Sequence, residues 1–229
     1  GLNVIWMERD IEVTDVTVKV GSRPPESIAD RASFEVSNRT MLTMVRLDAW
    51  VLPFLDLYAM AGRTRTDTSL RTSFEIAPPL GDPVAVVVEQ DQQVDGPLYG
   101  GGMTVVVGHG AFFTMLDANY ARSDLEIFDG TVDALLLSAR IGWHRDTDLG
   151  QWRAWTGVMF LDSSRTLTIS DEHPLLGLIE VEVEQRPVHP TTLEVGGSLT
   201  IERRWEFLVE VGSNFDDAFL TVVSGSYRF

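Results

Sequence analysis

The residues best equipped to act on a substrate gather in one polar stretch. Asp171, Glu172 and His173 are consecutive, and His189 follows in the same segment. An Asp–His pair can activate water by accepting a proton. Carboxylates beside a histidine can also hold a divalent cation, provided that the ligand atoms converge. Glu180, Glu182 and Glu184 add acidity, but they alternate with Ile179, Val181 and Val183. On an extended strand these glutamates line up side by side and do not converge. Asp, Glu and His in a hydrophilic segment are ordinarily just solvated, and no second carboxylate pair is placed to face these. The sequence therefore assigns no catalytic residue, no metal ligand and no cofactor. The run Gly100-Gly101-Gly102 precedes no helix and is not a phosphate loop. His109 and His144 fall near turns and read as interfacial residues.

A second set of charges is periodic. Arg46 and Asp48 alternate with Val45, Leu47, Ala49 and Val51; Asp56 alternates with Leu55, Leu57, Ala59 and Ala61. Asp117 opposes Phe112, Thr114, Leu116, Ala118 and Tyr120, and Arg140 opposes Leu135, Leu137, Ala139, Ile141 and Trp143. Glu194 and Glu202 oppose Leu193, Val195, Leu199 and Ile201; Glu210 opposes Trp205, Phe207, Val209 and Val211; Arg228 opposes Tyr227 and Phe229. Such period-2 patterns are strands with one apolar and one charged face. If the charged face lined the core of a soluble barrel, each unpaired charge would cost several kcal/mol. If the apolar face meets lipid, the charges line a polar lumen. Arg46, Arg140 and Arg228 face at least as many acids, so the lumen reads as an ion-pair network that plugs it; the acid excess leaves a narrow cation-preferring conduit as the alternative.

Composition bounds the class. The chain has 229 residues, no cysteine and a net charge of −16, which argues against nucleic acid as a partner. No apolar run is long enough for a transmembrane helix, whereas alternating strands dilute the apolar signal. Gly1 in place of an initiator Met implies a processed chain. Arginine dominates the basic residues, and Lys19 is the single lysine; arginine is the better partner for enclosed carboxylates.

About ten strands are expected, or eight preceded by an N-terminal arm, since the pattern over residues 2–20 is weaker. Long connections fall near 21–38, 66–96 and 163–190. The intervening links, at Leu52-Pro53, His109-Gly110, Arg145 to Gly150 and Arg203-Arg204, are short. Trp50, Phe54, Phe112, Trp143, Trp152, Trp205, Tyr227 and Phe229 cluster near the short links and the chain ends. Tyr99, Tyr120, Phe160, Phe215 and Phe219 lie near the other ends. Two aromatic girdles around an apolar band mark the two faces of a membrane.

The last stretch, A-F-L-T-V-V-S-G-S-Y-R-F, alternates to its final residue, and a soluble domain would leave Tyr227 and Phe229 in water. It resembles the C-terminal strand of Gram-negative outer-membrane β-barrels, in which a terminal Phe is the assembly signal. The hairpin R-L-D-A-W-V-L-P-F-L-D-L-Y-A, about fourteen residues, is similar to one in a poorly characterised group of proteobacterial barrels. The resemblance implies an all-β, transmembrane, antiparallel up-and-down barrel in the cell outer membrane, a single domain over 1–229. It implies outer-membrane lipid and lipopolysaccharide as surroundings, with other envelope proteins as possible partners. The expected function is non-enzymatic, structural or interactive. A hydrolase reading follows only by analogy with ten-stranded outer-membrane proteases, which place Asp and His above the membrane; no motif of theirs matches here.

Overall fold

The computed structural model describes residues 1–20, 26–27, 33–76, 84–125, 130–173 and 177–229, and the described residues contain no helix. The strands are β1 (Leu2–Val20), β2 (Glu26–Ser27), β3 (Ser33–Leu52), β4 (Leu55–Ile76), β5 (Val84–His109), β6 (Phe112–Leu125), β7 (Gly130–Thr147), β8 (Gly150–His173), β9 (Gly177–Pro187), β10 (Thr191–Ile201), β11 (Trp205–Ser213) and β12 (Ala218–Tyr227). β12, β1, β3, β4, β5, β6, β7, β8, β10 and β11 pair in that order. β11 returns to β12, so the ten form a closed antiparallel barrel. β1 is a full wall member: Leu2 to Arg9 pair with β12, and Leu2 to Ile11 pair with β3. The eight-strand alternative with a free arm is thereby excluded.

The outer face is apolar. Leu47, Val107, Ile141 and Val195 are each more than 60% exposed, while their strand neighbours turn inward. Three strands carry an aromatic at each edge of this band, in each case eight positions apart: Phe112 and Tyr120, Trp152 and Phe160, Tyr227 and Phe219. At about 3.4 Å per residue and a tilt near 40°, that spacing spans about 20 Å along the barrel axis, close to the roughly 25 Å apolar band of a membrane barrel. Trp6, half exposed on β1, joins the upper ring although its strand pattern was too weak to show it.

The wall does not end at the band. β4 and β5 pair up to Ile76 and Val84. β8 continues to His173 and pairs with β9, which pairs in turn with β1 from Ile11 to Val20. The connections expected near 66–96 and 163–190 are thus largely strand. On β9 the alternation of Ile179, Val181 and Val183 with Glu180, Glu182 and Glu184 already marks a strand, whereas Ser, Thr and Arg dominate the extension of β4 and much of that of β8. Of the connection at 21–38, residues 21–25 and 28–32 lie outside the described residues. The tight turn expected at His109-Gly110 falls one residue later. His109 pairs with Phe112, and Gly110 takes a φ of +62° as the first central residue, as a primed hairpin turn requires.

β10, β11 and β12 are short and stop at one level, where β9 takes their place between β8 and β1. The wall narrows there from ten strands to eight. The seam is closed by backbone bonds: Leu161 N donates to Pro190 O at 2.8 Å, and Asp10 N donates to Asp217 O at 3.3 Å.

Val209 stands mid-band on the outer face, opposite Val223 and Gly197. Val209→Arg should lower unfolding free energy in lipid vesicles by about 2–4 kcal/mol. If the wall faced water instead, this exposed substitution would be nearly neutral.

Candidate functional site

The inward side chains form three groups. In the first, on β3 to β6, Arg46 Nε donates to Asp48 at 2.6 Å and its Nη2 to Asp56 at 3.3 Å. Its guanidinium lies over the Tyr58 ring, 3.5 Å from the centroid. Tyr58 OH donates to Asp117 at 3.0 Å, and Thr104 Oγ1 and Asn119 Nδ2 donate to the same carboxylate at 2.6 and 3.1 Å. Tyr58 can lie flat because Gly102 is beneath it: a Cβ there would sit 2.6 Å from the ring.

The second group centres on Arg140. Its Nε is 2.7 Å from Glu194 and donates to Glu210 at 3.0 Å; its Nη2 reaches both carboxylates, and its Nη1 donates to Ser138 at 2.7 Å. Trp155 Nε1 donates to Glu210 at 2.6 Å. The indole stacks across Gly196, where a Cβ would meet it at 2.7 Å. Glu194 is fully enclosed. One cation thus joins β7 to acids on β10 and β11 inside the barrel, with its fork geometry matched to carboxylates.

The third group lies at the short-turn mouth. Glu206 accepts from Arg153 at 3.2 Å, Ser198 at 3.2 Å and Arg228 at 2.6 Å. Across the three groups, Arg46, Arg140, Arg153 and Arg228 face Asp48, Asp56, Asp117, Glu194, Glu206 and Glu210.

Toward the long-connection ends the interior changes character. Met44, Leu98, Met159, Leu161 and Leu220 point inward and are buried. The polar lumen expected from the sequence thus gives way to a mixed layer, in which these apolar side chains are buried beside Thr64, Ser123 and Thr192. The inward parity of these positions was visible, but their shared level is set by strand stagger.

Of the expected lumen residues, Arg46, Asp48, Asp56, Asp117, Arg140, Glu194, Glu210 and Arg228 take part in these contacts. Glu202 does not. β10 ends at Ile201, and Glu202 and Arg203 adopt φ values of +52° and +59° in the exposed turn to Trp205. Trp50 is exposed at the short-turn mouth, in the alternation that puts it on the side of Arg46 and Asp48. It pairs with Asp56 ahead of a register shift, and paired residues share a face, so it lies on the inner register at the mouth. Phe112, Trp143, Trp152, Trp205, Tyr227 and Phe229 are exposed at the short-turn end; the Trp205 and Tyr227 rings meet in a tilted pair with centroids 4.8 Å apart. Arg153, Glu206, Tyr58 and Trp155 were legible by parity but not singled out.

The Asp–Glu–His constellation is pulled apart. Pro190 meets β8 at Leu161, ten positions before Asp171, or about 30 Å at roughly 3.3 Å per residue. The side chains of Asp171, Glu172, His173, Glu180, Glu182 and Glu184 lie outside the described residues. His189 instead meets the β11–β12 turn, with Nδ1 3.1 Å from Asp217 Oδ1 and 4.0 Å from Asp216. Asn214 braces the turn, its Oδ1 accepting from the backbone N–H groups of Asp216, Asp217 and Ala218. Arg9, buried beneath, donates to the His189 carbonyl at 3.3 Å. His189, Asp216 and Asp217 could present ligand atoms to a cation, but the His189–Asp217 contact already accounts for the arrangement as a latch across the seam. Burial opposes ionisation of Asp217, and hydrogen bonds from Asn214 and His189 outweigh it, holding the carboxyl below its ordinary range.

An apolar exterior with two aromatic rings, a charged interior, an even number of strands and short links on one side define a transmembrane β-barrel of the outer-membrane class. In barrels of this class the short turns are periplasmic and the longer connections extracellular. No protein-family model and no curated protein matches the chain. Solved structures similar to it are themselves barrels. They include the β domain of the Bordetella autotransporter BrkA, at 9% identity and TM-score 0.45, covering all of both chains. The translocator domain of the autotransporter NalP from Neisseria meningitidis has 13% identity and TM-score 0.41 over all of this chain and 88% of that one. The Ralstonia pickettii toluene transporter TbuX has 11% identity and TM-score 0.38 over 99% and 89%. Likeness at this level carries no activity across; the class rests on the chain's own geometry.

Two outcomes test the interior and the latch. Arg140→Met leaves two enclosed carboxylates unpaired and should cost about 3–5 kcal/mol in equilibrium unfolding; adding Glu194→Gln and Glu210→Gln should recover most of it. For Asp217, a depressed folded value means that its stabilisation is present above the unfolded value, near pH 4, and is lost as pH falls through the folded one. Asp217→Asn should therefore melt below wild type at pH 6, and the gap should close as pH approaches 3.

Proposed function

We propose that this chain is a non-enzymatic structural or interaction component of the cell envelope, a barrel with a plugged lumen. The observation that carries this reading is the stacking of two different seals. Arg140 ties the lumen shut with Glu194 and Glu210, and above it Met44, Leu98, Met159, Leu161 and Leu220 pack as a mainly apolar layer. A ten-stranded wall encloses little more space than its side chains fill. The polar half acts as the barrel's core, its charges paired rather than lined up along a water path. The extracellular excursions, extended well beyond the band on β4, β5, β8 and β9, supply the surface for contact with other envelope components.

One observation favours a narrow cation-preferring conduit instead. Six carboxylates face four guanidiniums in the polar half, so the periplasmic vestibule carries excess negative charge.

Single-channel recording in planar bilayers separates the two readings. The plugged barrel should insert, as judged by a heat-modifiable gel shift, and remain electrically silent at neutral pH. A steady, cation-selective conductance from the inserted wild-type barrel would overturn the plug and establish the conduit.

A further inference from the structure

Above the apolar band the wall is interrupted on one side. β6 and β7 end at the hairpin where Leu125 pairs with Gly130. The strands flanking that hairpin rise past it, β5 as far as Val84 and β8 as far as His173. Among the described residues β5 pairs with β6 only from Leu98 to His109, and β8 pairs with β7 only up to Thr166. The twelve residues from Val84 to Asp95 thus have β4 on one side and an open edge on the other. Leu167 to His173 are likewise held by β9 alone. Between the two edges lies a slot two strands wide, about 14 Å across at roughly 4.8 Å per strand interval.

We propose that the open edge of β5 receives an extended basic segment of another protein, added to the sheet as a further strand. The inference rests on the interaction-component reading above and names the kind of partner. In an antiparallel sheet every second residue turns its N–H and C=O to a given side, so this edge offers a row of unpaired backbone donors and acceptors. Folded proteins ordinarily blunt such an edge with lysine, proline or a bulge. The stretch V-A-V-V-V-E-Q-D-Q-Q-V-D has neither lysine nor proline, and its register against β4 runs without a shift. Its charges are acidic. Glu89, Asp91 and Asp95 lie on the strand, and Asp124 and Asp133 on the hairpin below. Arg65 pairs with Asp95 at 3.1 Å, and Asp91 is exposed. Charge decides the occupant. A second copy would bring its own acidic edge and a net charge of −16 against this one. A strand with lysine or arginine at alternate positions meets the carboxylates instead, while its backbone extends the ladder. Acids on the edge thus oppose self-pairing and leave it open to a cationic partner.

The probe is a synthetic peptide alternating lysine and threonine, as long as the open edge. It is titrated by fluorescence anisotropy onto the intact chain in phosphatidylcholine nanodiscs, whose zwitterionic surface does not attract it. Two further peptides carry N-methyl groups on alternate amides, one set in each, so that each loses one hydrogen-bonding edge and keeps its charge. Wild type should bind the parent peptide saturably, and at least one methylated set should weaken binding about tenfold or more. Glu89→Gln with Asp91→Asn should weaken it several-fold, and a peptide alternating glutamate and threonine should not bind. The chain has no cysteine, so position is read by crosslinking. Gln93→Cys on β5 should capture a peptide carrying one cysteine. Ser69→Cys, equally exposed on β4 but paired on both sides, should not. Equal binding of all three basic peptides, or capture at both positions, would leave only charge attraction and overturn the added strand. A disulfide-linked dimer of the Gln93→Cys barrel in place of the peptide adduct would overturn it in favour of a second copy. Conductance is recorded on the same preparation. A silent barrel that binds no peptide overturns the edge site and leaves the plugged barrel standing, whereas a conducting barrel overturns the plug whatever the peptide does.

Discussion

Hydrocarbon offers no hydrogen-bond partner, and that single constraint governs this wall. Every backbone N–H and C=O inside the apolar band must pair with a neighbouring strand, which only closure can achieve in a sheet. Closure here is the pairing of β12 with β1, from Leu2 with Gly225 up to Arg9 with Ala218. Once ten strands close, the enclosed volume is fixed. It is too wide for the wall to seal by backbone alone and too narrow to stay open without effort, so the inward side chains must fill it.

How they fill it follows from residue type. Arg46 and Arg140 each engage two acids with their forked donors, which suits an interior where carboxylates outnumber cations, while Arg153 and Arg228 share Glu206. Glycines complete the packing. Gly102 and Gly196 give up side chains so that Tyr58 and Trp155 can lie across the wall and deliver hydrogen bonds to Asp117 and Glu210. The aromatic rings occupy lumen space that water would otherwise take, and their polar atoms satisfy the acids they cover. Above this level apolar side chains do most of the filling, so the two halves of the lumen are closed by different physics.

Much of this was legible in the sequence because a lipid-facing strand must alternate. Facing was readable for β6, β7 and β10 to β12 from Phe112, Leu135, Leu193, Trp205 and Phe219 onward, and with it the inward placement of Arg140, Glu194 and Glu210; for β8 the alternation left the facing open, with Trp152 outward the preferred choice. The signal failed where the pressure behind it disappears. Beyond the band both segments are mostly Ser, Thr, Arg and acids, so β4 past Thr66 and β8 past Asp162 read as loops. At strand ends, turn geometry overrides parity: Glu202 follows the pattern and yet sits in a turn. Arg9 was invisible for a third reason. Its role depends on a seam formed by distant segments, and no local period records that.

The seam also explains where the membrane surface must lie. β10, β11 and β12 end together, leaving strand termini and the foot of β9 with backbone groups that the ladder does not pair. In lipid each such group would cost several kcal/mol. The outward aromatics Phe160 and Phe219 stand just below this level, with Thr191 opposite Phe160 and Ser213 opposite Phe219. They place the apolar boundary beneath the seam, where water and headgroups can solvate the connector and the turn. Polar latching by Arg9, His189 and Asp217 is affordable there and would not be two residues lower. The length of β10 to β12 is thus set from both directions: long enough to cross the hydrocarbon, and short enough that the narrowing from ten strands to eight happens entirely outside it.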